Sequence, residues 1–326
     1  MQHSINRRYF FLGSLGLALS CSRRASAPRS NSASLDAQRV SIVRAASYSH
    51  GLTSLIRRIL IDHRVAIRGR RILLKPNLVE FSAQTPINTN PLFVAAVLEA
   101  FSSLGAANVR IAEGPGHRRM TLDMAEAAGF FSAVPHFEER FVDLNTDEVR
   151  RVTLENPIST LKELYLPNTA FDCDLLVSLP KMKTHHWAGA TLAMKNLFGV
   201  VPGGVYGWPK NVLHWAGIDE SIADLHYLFP HQFAIVDGIE SMEGNGPILG
   251  TSKRTNLIVA GAHPPSVDAT CCQIMRIDPG KIRYLSFVSE RSAWSWKTVR
   301  QSGETITSVS TPFALHPDLQ RLRLTS

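Results

Sequence analysis

Residues 171–204 read FDCDLLVSLPKMKTHHWAGATLAMKNLFGVVPGG, and this stretch decides the fold. Leu175, Leu176, Val177 and Leu179 form a short apolar run, the pattern of a strand covered on both faces. Pro180 has no N–H for the ladder and is expected to end the strand. The strand then delivers Lys181, Lys183, Thr184, His185 and His186 at its C-terminal end, where open α/β sheets bind ligands. Gly189 permits close backbone approach. Ala190 to Phe198 reads as a short helix carrying Lys195, and Gly199, Pro202, Gly203 and Gly204 return the chain to a loop. Three lysines and two histidines around a strand end and a helix start make a place for an anion, a metal or both.

Outward from this stretch, strands and helices alternate. Upstream, strands are expected at 40–45, 71–75 and 108–112. Between them lie helices at 52–63 and 91–104, the latter with Pro91 in its first turn, and a helix capped by Thr121 follows. Residues 137–170 are less regular and are expected to hold strands and a connection. Downstream come a helix from Trp215 to Phe229 and a buried strand at 233–236. A glycine-rich loop, ESMEGNGPILG at 240–250, leads to a strand at 256–260 and a helix at 266–275 that opens at Pro264-Pro265. This order predicts an α/β fold with parallel or mixed sheets, flanking helices and two lobes, roughly 39–160 and 161–326, around a cleft.

In a parallel sheet the polar strand ends share one edge. Lys75-Pro76-Asn77, Glu113 to His117, Lys181 to His186 and Asp237 to Glu243 are therefore expected to converge on one crevice. The ligand-binding set read this way is Lys75, Asn77, Glu113, Lys181, Lys183, Asn196, Asp237, Glu243, Asn245 and Gly246. The glycines at 238, 244, 246 and 250 serve either positive φ or an anion cradle of backbone N–H groups. Their spacing matches neither a P-loop nor a dinucleotide fingerprint. Lys195 lies among Leu192, Met194, Leu197 and Phe198, so desolvation is expected to lower its pKa.

Composition excludes several classes. At 44% hydrophobic and 19% charged residues the 326-residue chain is globular. Its net charge of +8 falls to +4 without residues 1–27, which hold Arg7, Arg8, Arg23 and Arg24 and no acids. The remaining basic residues are scattered with no aromatic platform, so no nucleic acid is expected. The four cysteines, Cys21, Cys173, Cys271 and Cys272, contain no C-x-x-C pair and support neither a zinc ribbon nor a ferredoxin-type iron–sulfur cluster. Cys271 and Cys272 are expected to sit reduced in a buried helix.

The N-terminus reads as a targeting segment over 1–27 with a flexible linker at 28–38. Asn6-Arg7-Arg8-Tyr9-Phe10-Phe11 resembles a twin-arginine signal, and the apolar run at 10–19 is too short to span a bilayer. Ala25-Ser26-Ala27 fits a peptidase site, while Leu17 to Cys21 is an imperfect lipobox that would lipidate Cys21. The expected partner is the twin-arginine translocase and the expected location periplasmic. Membrane contact is expected only through the signal or that lipid.

Taken together, Lys75-Pro76-Asn77, Glu113-Gly114-Pro115-Gly116, Pro180 to His185, Lys195 to Gly199, Asp237-Gly238 and Glu243 to Pro247 resemble the DUF362 family, whose function is unknown. A second set is similar to the nickel-pincer lactate racemases. It comprises Gly116-His117-Arg118-Arg119-Met120-Thr121, His185 to Gly189 with Lys195 ten residues on, Val200 to Gly203, and His214. That resemblance implies His117 and His185 as proton-transfer residues, Lys195 as anchor of a nickel-pincer-type nucleotide, and His214 as a metal ligand. Asn88-Thr89-Asn90-Pro91 departs from the racemase pattern by lacking its carboxylate clamp. The expected function is an exported enzyme using histidine acid–base chemistry on a small anionic substrate, racemase-like or redox, with a metal-bearing cofactor. The alternative is a non-catalytic periplasmic anion-binding protein using the lysines and the glycine-rich loop.

Overall fold

The computed structural model describes residues 38–116 and 120–325. The strands are β1 (Val40–Arg44), β2 (Arg71–Pro76), β3 (Asn108–Glu113), β4 (Phe141–Asp143), β5 (Val149–Thr153) and β6 (Glu163–Pro167). They continue with β7 (Leu175–Leu179), β8 (Lys181–His185), β9 (Gly189–Thr191), β10 (Gln232–Asn245), β11 (Leu249–Gly261) and β12 (Gln301–Gly303). Ten of them form one mixed sheet in the order β12-β1-β11-β10-β7-β2-β3-β4, with β8 and β9 branching from β10. The run from β10 to β4 is parallel, and β5 and β6 form a separate antiparallel pair. Strands from either side of residue 160 are therefore neighbours in one sheet: β2 pairs with β7 from Ile72↔Leu175 to Pro76↔Leu179.

The sheet is apolar on both faces because alternate residues of each central strand enter opposite cores. Ile72, Leu74, Val177, Leu179, Phe233 and Ile235 pack under the helices Gly51–Asp62 and Pro91–Ser103. Leu73, Leu176, Ala234 and Val236 face the Ala193–Asn196 and Pro264–Ile274 helices. Pro91 opens its helix behind Asn90, whose side chain accepts the Leu92 N–H at 2.9 Å. Cys271 and Cys272 are buried free thiols. Among the described residues no helix is long and apolar enough to cross a membrane.

Several expectations needed correction. Pro180 ends the pairing of β7 with β2, but its carbonyl accepts the Asp237 N–H at 2.9 Å, so the chain stays beside β10. The Lys181–His185 run is thus a strand, paired to β10 and, antiparallel, to β9. The stretch 240–250 is not a loop. It is most of the distal half of a long β10–β11 hairpin that turns at 246–248, with a register shift between Gly238 and Glu240. The Ala190–Phe198 helix is shorter: β9 takes its first residues, and a helical turn at Ala193–Asn196 runs into a 3₁₀ turn at Leu197–Val200. Gly217, at φ 101°, breaks the expected 215–229 helix into Asn211–Trp215 and Ile218–Leu228. Thr121 is the first helical residue rather than the cap, which is Met120 with no side-chain bond.

Candidate functional site

At the C-terminal ends of the parallel strands lies a cavity of about 700 Å³. Asn77, Glu113, Lys183, His185, Lys195, Asn196, His214 and Asn245 line it, as the convergence of strand ends requires. Lys75, Lys181, Asp237, Glu243 and Gly246 do not. His117 lies outside the described residues.

Each of the residues outside the lining has a partner within the fold. Lys75, at the end of β2, donates to Glu113 at 2.6 Å with both side chains almost completely buried. Lys181 donates to Asp237 at 2.6 Å, again fully buried, and Asp237 also accepts the Tyr48 hydroxyl and the Asn90 N–H. Burial lowers the Lys75 pKa and Glu113 partly restores it. These two ion pairs sit against the cavity wall, and of their four residues Glu113 lines the cavity. Glu243 pairs with Lys253 at 2.9 Å and accepts the Ala314 N–H. Gly246 uses its carbonyl to accept the His186 N–H. Beside the Lys75 pair, Asn196 bonds the Lys75 amine and carbonyl, Asn77 and Ser178.

Three lysines of the cavity have no carboxylate partner among the described residues. Lys183 donates only to the carbonyls of Ile87 (2.7 Å) and Pro247 (3.2 Å). Lys210 donates to the carbonyls of Gly114 and Phe198. The Lys195 amine has no hydrogen bond or ion pair among the described residues and lies 3.6 Å from the Phe198 ring centroid. Burial, with Lys75 adding to it, brings the Lys195 pKa down to about 7, and burial brings Lys210 to about 7 as well. Burial and Lys181 push Lys183 well below the ordinary lysine value.

The helical turn that carries Lys195 is held from behind. Asp268 accepts the N–H groups of Ala193 (2.7 Å) and Met194 (3.1 Å). Three residues lining the cavity carry a polar atom that is buried without a hydrogen-bond partner among the described residues: Asn77 Oδ1, Thr191 Oγ1 and His214 Nδ1. His185 is buried, and burial with Lys195 nearby pushes its pKa well below the ordinary histidine value. His214 packs edge-on to Trp187 and Phe198, and burial lowers its pKa too. Among the described residues no group of three His, Cys, Asp or Glu is gathered to hold a metal ion. Beside His214 the described residues gather no second and third ligand of these types for the expected metal, and the chemistry below is that of the side chains.

Sequence reasoning placed His186 at this edge but missed Lys210, Thr191 and His316, all of which line the cavity. Lys210 sits in the left-handed region (φ 65°) after Trp208-Pro209. A lysine beside Gly207 and Pro209 reads as an exposed loop residue, yet it is almost fully buried. The signal was its place in the same glycine- and proline-rich block as Val200 to Gly204.

The model of the family described as Domain of unknown function (DUF362) matches residues 72–273. A thylakoid-associated protein of Synechocystis sp. is 28% identical over 257 residues, covering 74% of this chain and 76% of that protein. The lactate racemase apoprotein from Thermoanaerobacterium thermosaccharolyticum aligns with a TM-score of 0.43 at 14% identity, over 73% of this chain and 56% of that one. A protein from Thermotoga maritima aligns with a TM-score of 0.40 at 11% identity, over 70% and 59%. The chain thus spans less than two thirds of either solved protein, and likeness at this level transfers no chemistry.

Proposed function

The chain belongs to the DUF362 family, of unknown function, and on that premise we propose that its cavity binds a small organic anion with an apolar body. One observation carries this reading: three amines without carboxylate partners among the described residues, Lys183, Lys195 and Lys210, line one cavity. An unpaired buried ammonium costs several kcal/mol, which an anionic group offsets. Phe198, Trp187, Ile248 and Leu249 supply apolar walls for the rest of the ligand.

A suitable probe is 8-anilinonaphthalene-1-sulfonate, read by fluorescence against its uncharged parent N-phenyl-1-naphthylamine. The double variant Lys195→Met, Lys210→Met is expected to lose at least about tenfold in affinity for the sulfonate and little for the parent, as loss of a charged hydrogen bond implies. Equal losses for both probes would sink the reading.

The pH dependence has a definite sign. The folded-state values of Lys195 and Lys210 are depressed to about 7, so the free protein carries their charging penalty below that pH. It is relieved as the pH rises toward the ordinary lysine value. An anion favours the ammonium forms, so binding takes up protons above pH 7. Affinity is expected to fall by about tenfold per pH unit for each amine that must protonate. A flat profile from pH 7 to 9 would show that neither amine meets the ligand.

A second reading, catalysis, is favoured by the Lys195 amine itself. An unpartnered amine titrating near 7 is a base or nucleophile at neutral pH. Competitive acetylation read by mass spectrometry is expected to give Lys195 a midpoint near 7. A midpoint near the ordinary lysine value removes this reading.

Export by the twin-arginine route is part of the proposal, supported by Asn6 to Phe11 and by a relative described as thylakoid-associated. Arg7→Lys with Arg8→Lys is expected to hold the precursor in the cytoplasm, and unchanged export counts against it. Intact mass of the exported chain separates cleavage after Ala27 from lipidation of Cys21.

A further inference from the structure

We propose that the adjacent histidines of the cavity are held in opposite tautomers, so that His185 offers a ligand its Nε2 hydrogen and His186 its Nε2 lone pair. The proposal rests on the anion-binding reading for the ligand, but the tautomers are set by the protein alone. His185 Nδ1 accepts two backbone N–H groups, from Trp187 at 3.1 Å and Ala188 at 3.3 Å. Both donors are fixed by the turn joining β8 to β9, whose register runs from Lys183↔Thr191 to His185↔Gly189. A ring nitrogen that accepts carries the lone pair, so the hydrogen of the neutral ring is on Nε2.

His186 is bound the other way. Its Nδ1 lies 2.7 Å from the Gly246 carbonyl oxygen, which can only accept. Nδ1 therefore carries a hydrogen, and in the neutral ring Nε2 keeps the lone pair. The two rings stack with centroids 5.1 Å apart, and both line the cavity.

The consequence is a division of roles. Adding a proton to His185 would place it either on Nδ1, against two N–H groups, or nowhere, since Nε2 already holds one. Burial and the nearby Lys195 oppose the same step. His185 is thus a neutral hydrogen-bond donor for a carboxylate, sulfonate, phosphate or carbonyl oxygen. It adds a directional contact without adding charge to the three amines. Of this pair, His186 is the one built to take a proton from a bound molecule.

The test is nitrogen NMR of the full chain labelled with 15N-histidine at pH 7, with assignments from His185→Gln and His186→Gln. The expected result is a protonated Nε2 on His185 and a protonated Nδ1 on His186. The same tautomer in both rings, or an imidazolium at His185, overturns the proposal. In the sulfonate assay, His185→Gln keeps a donor of similar reach and is expected to bind within about threefold of the parent. His185→Phe removes it and is expected to bind about tenfold more weakly. Parent-like binding by the Phe variant overturns the donor role even if the tautomer holds. Unchanged binding by the double lysine variant, with both NMR signatures in place, overturns the anion reading and leaves the tautomers standing.

Discussion

Asp237→Ala is expected to destabilise the protein by about 3–5 kcal/mol, the cost of leaving one member of a buried pair alone. Lys181 and Asp237 are both fully buried at 2.6 Å. The substitution also strips an acceptor from the Tyr48 hydroxyl and from the backbone N–H groups of Asn90 and Ile239. Against a typical stability of about 5–15 kcal/mol this is a large fraction. Urea unfolding measures it as a shift in midpoint at constant slope. Lys181→Met added to Asp237→Ala is expected to recover part of the loss, because an apolar replacement of both partners leaves no isolated charge. A single variant within 1 kcal/mol of the parent would show that water reaches the pair.

Gly199→Ala is expected to be as damaging, for a steric reason. Gly199 packs directly on the Lys75–Glu113 pair, and an added methyl would overlap the Glu113 carboxylate and crowd the Lys75 amine. Overpacking alone typically costs about 1–3 kcal/mol. Here the obstructing atoms are themselves locked, Glu113 by Lys75 and by the Gly114 N–H, and Lys75 by Asn196 and the Pro76 carbonyl. The methyl must therefore part the ion pair, and the loss is expected to exceed about 3 kcal/mol. Because Glu113, Asn196 and Gly199 line the cavity, sulfonate binding should fall with stability. A variant as stable as the parent would mean that the 3₁₀ turn at Leu197–Val200 moves freely.

The contrast between these residues shows what was legible beforehand. Leu175 to Leu179 could be read as a doubly covered strand because every position is apolar or small, and that pattern is local. Pro91 behind Asn90 is likewise a local signal. Lys75 and Glu113 were both recognised as strand-end groups, but 38 residues separate them, and nothing in either segment says that they neutralise each other. The same holds for Lys181 and Asp237. A strand end identifies a candidate, while its partner is a property of the whole sheet. Lys183 and Lys195 line the cavity with no carboxylate paired to them among the described residues. The β8 strand was hidden because a missing N–H on Pro180 stops pairing on one side only, and its free carbonyl kept the other. Lys210 was hidden because a left-handed lysine after a proline has no periodicity to follow.

The continuous register of β2 with β7 has a dynamic consequence. Five consecutive residue pairs join the segments on either side of residue 160 at the centre of the sheet. A hinge between two rigid halves would have to break that ladder. Ligand entry is therefore left to local segments at the rim: the β10–β11 tip, which brings Asn245, Pro247 and Leu249, and residues 203–217, which bring Lys210 and His214. On the proposed anion-binding reading, exchange of the ligand is expected to follow local opening of these rim segments. Hydrogen exchange should find the fastest ligand-sensitive amides there, while the β2–β7 amides exchange only with global unfolding.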